Sequence, residues 1–205
     1  MLKAETLVTT YLEMRSHLGI RKSKPEIRNV DFEIRELSER DWRFNRDMYF
    51  KVGEQWKWID KRPWTDAQWK EYASDPDLRT FAGYCENEVA GYFELRRQSM
   101  SLQARAPAAT EKTGEQRSQV TGQIRTEEVE IAYFGLLPDF IGRGLGGTLL
   151  TSAIENAWAW SPTPSRVWVH TCNRDHPNAL ANYEARGFKI YKEETSDLGS
   201  MTDSV

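Results

Sequence analysis

Four glycines fall within six residues of this chain, Gly142, Gly144, Gly146 and Gly147. A strand-like run from Val129 to Leu137 precedes them, with Val129, Ile131 and Tyr133 on one face and Glu130, Ala132 and Phe134 on the other. Pro138 and Asp139 break that run. Leu145, Leu149, Ala153, Ile154, Ala157 and Trp158 then draw an apolar stripe at helical spacing. Strand, glycine loop and helix together suit an anion. The first backbone N–H groups of a helix have no internal partner, and the aligned peptide dipoles make that end positive. Residues without a Cβ let a phosphate approach the backbone closely. The expected ligand is a pyrophosphate on the amides of Gly142 to Thr148.

Two cofactor classes carry such a group. Gly142, Gly144 and Gly147 satisfy the G-x-G-x-x-G spacing of dinucleotide-binding proteins, which keeps a nicotinamide-dependent oxidoreductase open. In those proteins the glycines follow their strand almost at once, whereas Pro138 to Ile141 intervene here. Ile141-Gly142-Arg143-Gly144-Leu145-Gly146 resembles the Q/R-x-x-G-x-G/A signature of the GNAT acyltransferases, with Ile141 where Gln or Arg is usual. His176-x-x-Ala179-x-x-x-Tyr183-x-x-x-Gly187-Phe188 resembles a second segment of that family, with His176 in place of an asparagine. The resemblance spans roughly residues 30 to 194 and is specific over 129–188.

The resemblance implies a mixed α/β fold of the GNAT type, acetyl-coenzyme A as cofactor, and direct attack of a primary amine on the thioester. It implies that the backbone of Phe134, Gly135 and Leu136 holds the pantetheine arm in a gap between two splayed parallel strands. The segment Ile141 to Thr148, with Arg143 and Leu145, then holds the pyrophosphate. Asn173 or His176 takes the duty of the usual asparagine. It places Glu130, six residues before Leu136, as the base, with Glu127 and Glu128 as rivals. Tyr183 becomes the donor to the departing thiolate, and His170 a candidate proton relay. A module that binds acyl-coenzyme A without turnover would carry the same loop.

Trp56, Trp58, Trp64 and Trp69 crowd into fourteen positions. They read either as a satellite core or, for Trp56, Trp58 and Trp64, as the wall of an acceptor pocket. Tryptophan faces attract cationic amines, and the resemblance implies that this segment borders the acceptor. The acceptor would be a small molecule or a peptide.

The elements that must position these residues follow from periodicity. Residues 1–20 read as a helix through Leu2, Leu7, Tyr11, Met14 and Leu18, closed by Gly19, with a connector to residue 29. A single domain over 30–205 follows. Its elements are a strand at 30–37, a helix from Glu39 to about Val52 and a short helix through Tyr72 capped by Thr65 or Asp66. Strands at 78–86 and 89–97 then flank an Asn87-Glu88 turn. Residues 98–125 lack large apolar side chains and read as a mobile insertion. A strand at 166–172, a helix at 175–186, a strand at 188–194 and a tail at 195–205 complete the chain. The family usually closes with a seventh strand, and none is visible after Glu194.

The 205 residues suffice for one core, and a net charge of −3 gives no reason to expect nucleic acid or an acidic membrane. The three histidines and two cysteines show no metal-ligand spacing, and the cysteines read as free buried thiols. No apolar run has the length of a membrane span and no signal-peptide core is visible, so a cytoplasmic location is expected. A homodimer is compatible with all of this.

Overall fold

The structure is a computed structural model that describes residues 5–20, 31–38, 40–103 and 123–198. In chain order the elements are β1 (Glu5–Met14), β2 (Phe32–Glu36), α1 (Trp42–Gly53), α2 (Asp66–Ser74), β3 (Leu78–Cys85), β4 (Glu88–Gln103) and β5 (Gln123–Leu136). They continue with α3 (Leu145–Trp158), β6 (Arg166–Cys172), α4 (Ala179–Ala185) and β7 (Lys189–Leu198). One seven-stranded sheet runs in the order β2-β3-β4-β5-β6-β1-β7. All neighbours are antiparallel except β5 and β6.

Where a helix was expected over residues 1–20, Glu5–Met14 is a strand. Leu7, Tyr11 and Met14 fit a helical stripe, but Thr10, Leu12 and Met14 are the positions that are buried, a period of two. Two distant strands impose that choice. β1 pairs with β6 from Thr9↔Cys172 to Met14↔Val167 and with β7 from Glu5↔Leu198 to Glu13↔Lys189. The chain's first strand therefore fills the place beside the last one, and the closing strand missing after Glu194 comes from the other end.

Smaller corrections follow local chemistry. α1 starts at Trp42 rather than Glu39, because the Asp41 carboxylate accepts from the Arg43 N–H at 3.0 Å. α2 carries the expected Thr65 cap, completed by Gln68 in a capping box. The β3–β4 turn is centred on Glu86 and Asn87, not on Asn87-Glu88, with φ of 53° and 70°. Two left-handed residues in succession make the turn that right-twisted hairpins prefer. Residues 98–103 and 123–125 belong to the β4–β5 ladder, so only 104–122 of the expected insertion lie outside the described residues. β7 continues to Leu198, so 195–198 are strand rather than tail, and 199–205 lie outside the described residues. α4 begins at Ala179 instead of Asp175, whose carboxylate instead accepts from Thr171 Oγ1 at 2.8 Å and Cys172 N at 2.9 Å.

The sheet has helices on both faces. α3 and α4 cover one face over a core that includes Leu12, Phe93, Leu95, Val129, Ile131, Leu149, Ile154, Val167 and Tyr183. α1 and α2 cover the other over Trp42, Tyr49, Trp69 and Ala73, against which Tyr133 packs. Tyr133 was expected on the face of Val129 and Ile131. The register explains the change: Leu95 faces Ile131 but Glu94 faces Tyr133, so Ala132 is an extra residue on β5. This β-bulge reverses the alternation beyond it and adds local twist. Phe134 now packs into the α3 core, and Tyr133 turns towards α1 and α2.

Candidate active site

β5 and β6 pair for only three residues, Glu128↔Arg166, Val129↔Val167 and Glu130↔Trp168. Beyond them the strands part, at the position of the Ala132 bulge. The gap widens into a cleft of about 1030 Å³. β5 lines it with Glu130 to Leu136, β6 with Val169, His170 and Cys172, and α4 with Ala179, Asn182 and Tyr183. A chain of amides lying in this gap would find backbone donors and acceptors on β5 that have no strand partner on that side.

At one end the cleft opens onto the start of α3. Gly144 is the N-cap with φ 78°, and no side chain caps the helix; Gly142 has φ 82°. Two left-handed residues spaced by one turn successive N–H groups inward, a concavity suited to an anion. A Cβ at Gly142 would meet nothing within 4 Å, so the approach to this backbone is open. The first turn of α3 contains no acidic residue. These features fit a pyrophosphate. Ile141, Gly142, Gly144, Gly146, Gly147 and Thr148 all line the cleft. Arg143 and Leu145 do not: the Arg143 guanidinium lies 5.0 Å from the Phe140 ring centroid and donates to Cys85 Sγ at 3.6 Å, while Leu145 is fully buried against Cys85, Ala90 and Phe140.

At the other end stand the titratable groups. Glu130 is 12% exposed, and its Oε1 lies 3.5 Å from His170 Nδ1 across the point where the strands part. Its Oε2 accepts from Gln98 Nε2 at 3.2 Å. The hydrogen bond to Glu130 raises the His170 pKa above the ordinary imidazole value, against the opposing effect of burial. The Tyr11 ring, from β1, lies 5.9 Å from the His170 ring. Glu127 and Glu128, the rivals of Glu130, are engaged elsewhere: Glu127 accepts from Ser99 Oγ, and Glu128 pairs with Arg166 at 2.5 Å. Tyr183 is buried, with its ring edge-on to Phe134 and Phe188. Burial, with the nearby Asp175 charge, pushes its phenol far above the usual range.

The two candidates for the asparagine role separate. Asn173 is tied to β1, accepting from Val8 N at 3.2 Å and donating to Thr6 O at 2.9 Å, and it does not line the cleft. Its side chain ties the end of β6 to β1. His176 does line the cleft, and its ring meets the Trp56 ring edge-on at 5.3 Å. That contact joins the α1–α2 segment to the β6–α4 segment.

Of the three tryptophans expected at an acceptor wall, Trp56 and Trp58 line the cleft and Trp64 does not. Trp58 packs 5.1 Å from the Tyr133 ring. Trp64 packs against Trp69 and Tyr72 and presents its face to the chain's own Lys61 at 4.6 Å. Asp60, Lys61 and Tyr133 are cleft residues that sequence reasoning missed. The available signal was an adjacent acid–base pair inside a tryptophan-rich segment.

A seven-stranded mixed sheet, parted between its two parallel strands over a glycine-lined helix start, defines a class of acyl-transferring folds. The sequence profile of the acetyltransferase (GNAT) family matches residues 33–188, and the chain belongs to that family. No curated protein matches the sequence. Among solved structures, a GCN5-related N-acetyltransferase from Sphaerobacter thermophilus is similar at 12% identity and a TM-score of 0.58, over 94% of this chain and 52% of that one. A conserved protein of unknown function from Staphylococcus epidermidis is similar at 16% identity and 0.52, over 93% and 60%. A transcriptional regulator from Bacillus halodurans is similar at 20% identity and 0.50, over 77% and 93%. This chain thus spans little more than half the length of the first two. Among the described residues no helix is long and apolar enough to cross a membrane.

Proposed function

We propose that this chain is an acetyl-coenzyme A-dependent N-acetyltransferase acting on a primary amine of a small molecule or peptide. The observation that carries the reading is the parting of β5 and β6 after Glu130/Trp168 over the uncapped start of α3. Acetyl-coenzyme A would supply an acyl thioester. Residues Gly142 to Thr148 hold its pyrophosphate, and the free backbone edge of β5 from Ile131 to Leu136 holds its amide-bearing arm. Edge backbone N–H groups there polarise a carbonyl placed against them.

The chain's residues divide the proton work. An arriving ammonium must lose a proton before it can attack. Glu130 faces His170 Nδ1, which fixes the neutral imidazole with its proton on Nδ1 and leaves Nε2 to accept. Glu130 then balances the imidazolium that forms. Tyr183 keeps its phenolic proton throughout the working pH range and lines the cleft with its ring 6.4 Å from that of Phe134, as the donor to the departing thiolate. Trp56 and Trp58 form the aromatic rim on the acceptor side.

Titration with acetyl-coenzyme A and with NAD, followed by thiol release across an amine panel, tests this reading. Saturable acetyl-coenzyme A binding that is lost in Gly144→Glu, with thiol release that depends on added amine, is the expected result. Binding without thiol release would reduce the protein to an acyl-coenzyme A-binding module. NAD binding in place of acetyl-coenzyme A would overturn the cofactor.

A further inference from the structure

Lys61 occupies the position that the tryptophan-rich segment would offer to a ligand. Its Nζ lies 4.6 Å from the Trp64 ring centroid, 4.7 Å from that of Tyr133 and 5.1 Å from that of Tyr72. It donates to Tyr133 Oη at 2.6 Å and stands 3.1 Å from Asp60 Oδ2. The side chain is 12% exposed and lines the cleft. Tyr133 donates in turn to Asp60 Oδ2 at 2.7 Å, and Tyr49 donates to Asp60 Oδ1 at 2.7 Å. Burial works to raise the Asp60 pKa, but these phenols and the Lys61 charge hold it below the ordinary value, so the carboxylate stays ionised. Two aromatic rings, the Tyr133 hydroxyl and one carboxylate converging on a single point form a receptor for an ammonium group.

We infer that the cage of Asp60, Trp64, Tyr72 and Tyr133 is an ammonium-binding site that the chain fills with its own Lys61, and that Lys61 thereby excludes acceptors bearing a second cationic group. The term acceptor rests on the acetyltransferase reading; the cage itself does not. The charge around the cleft agrees. Asp60, Glu130 and Asp175 line it together with Lys61, Arg96, Arg186 and the imidazoles of His170 and His176, so its acids do not outnumber its bases. A polyamine entering this cleft meets a cation already seated at the aromatic site. Taking Lys61 away removes one positive charge from the cleft and leaves a cage of the right chemistry for one alkylammonium. The favoured acceptors are therefore monoamines, or amines whose other groups are neutral or anionic.

The test compares the full-length protein with Lys61→Ala, using propylammonium chloride and putrescine as probes. Putrescine should bind Lys61→Ala at least about tenfold more tightly than wild type by calorimetry, since a desolvated cation–π site with a carboxylate contributes at least that factor. Propylammonium should raise the Tm of Lys61→Ala and leave wild type unmoved, while sodium chloride of equal ionic strength and propanol should raise neither. If Lys61→Ala does not fold unaided, refolding with propylammonium against sodium chloride gives the same decision. Equal putrescine affinity in both proteins, or no selective rescue by propylammonium, overturns the cage. In the amine panel the ratio of kcat/KM for putrescine over propylamine should rise in Lys61→Ala, and an unchanged ratio overturns the specificity role. Absence of acetyl transfer in both proteins would sink the transferase reading alone, because binding and rescue are read without turnover.

Discussion

Gly135 sits on β5 beyond the bulge, on the side that faces α1. A Cβ built there would lie less than 3.0 Å from Val52 Cγ1, whereas carbon atoms attract best at about 3.5–4.0 Å. Val52 is 2% exposed and clusters with Met48 and Tyr92, with Trp58 and Tyr133 packed against them, so its side chain cannot simply turn away. Gly135→Ala should therefore cost about 1–3 kcal/mol, the usual range for forcing a methyl group into a filled interior. Val52→Ala alone should cost a similar ~1–3 kcal/mol from lost burial and the cavity left behind. In the double variant the methyl of residue 135 occupies the room that Val52 vacates. The two losses should then fall short of their sum by about 1–2 kcal/mol. For a chain of this size 1 kcal/mol is about 2–4 °C in Tm, so thermal melts of the four proteins resolve the coupling. Because Gly135 and Trp58 both line the cleft, Gly135→Ala should also weaken acetyl-coenzyme A binding, and Val52→Ala should partly restore it. Strict additivity in both readouts would refute the placement of α1 against this strand.

Three further outcomes follow from the site. Glu130→Gln should lower the His170 titration midpoint, read by NMR, and cut kcat by about 10²–10⁴-fold near neutral pH, with the deficit shrinking as amines deprotonate; an unmoved midpoint would dissolve the pair. Because Glu130 raises the His170 pKa above 6.5 in the folded protein, that residue's contribution to stability is complete below about pH 6.5 and is lost as pH rises through the raised value. The stability gap between wild type and His170→Gln should thus be largest on the acid side and shrink towards alkaline pH; chemical denaturation showing a pH-independent gap would contradict it. Glu94 is fully buried and accepts from Asn45 Nδ2 at 2.8 Å and from the Tyr72 hydroxyl; Asn45 Nδ2 also donates to Thr80 Oγ1 at 2.7 Å, so Glu94→Ala should leave the Tyr72 hydroxyl unpaired and Asn45 with one acceptor fewer, and cost about 2–4 kcal/mol. A melt within 1 °C of wild type would show that water replaces the carboxylate without loss.

The sequence made the glycine loop legible because its chemistry is local: Gly142, Gly144 and the α3 stripe sit within twenty residues of one another. The same holds for Thr65, one of the two caps offered for α2, and for the hairpin that joins β3 to β4. What local pattern could not decide was set by distant partners. Residues 7–14 satisfy two periodicities, and only β6 and β7 select one. Ala132 is an ordinary strand residue until Leu95 and Glu94 count it as one too many, and the faces of Tyr133 and Phe134 follow from that count. Trp64 was readable as a cation binder, but the identity of the cation, three positions away in the same segment, depends on how the loop folds back over α2. Asn173 has the right chemistry for a ligand, and β1, invisible as a strand, takes both of its polar atoms.

β1 also sets an order of assembly. Its hydrogen bonds to the β6 end join residues 165 positions apart, as Val8 and Asn173 do. A ribosome releases β1 before either of its partners exists. The strands from β2 to β5 can meet their neighbours as they emerge, but β1 must wait, with its backbone edges open to other chains, until β6 and β7 arrive. Contacts of such span slow folding and prolong the exposure of strand edges. Tyr11 reaches His170 only once that final insertion is made. The end of the cleft where Glu130 faces His170 is therefore completed last, by a strand synthesised before either of its partners.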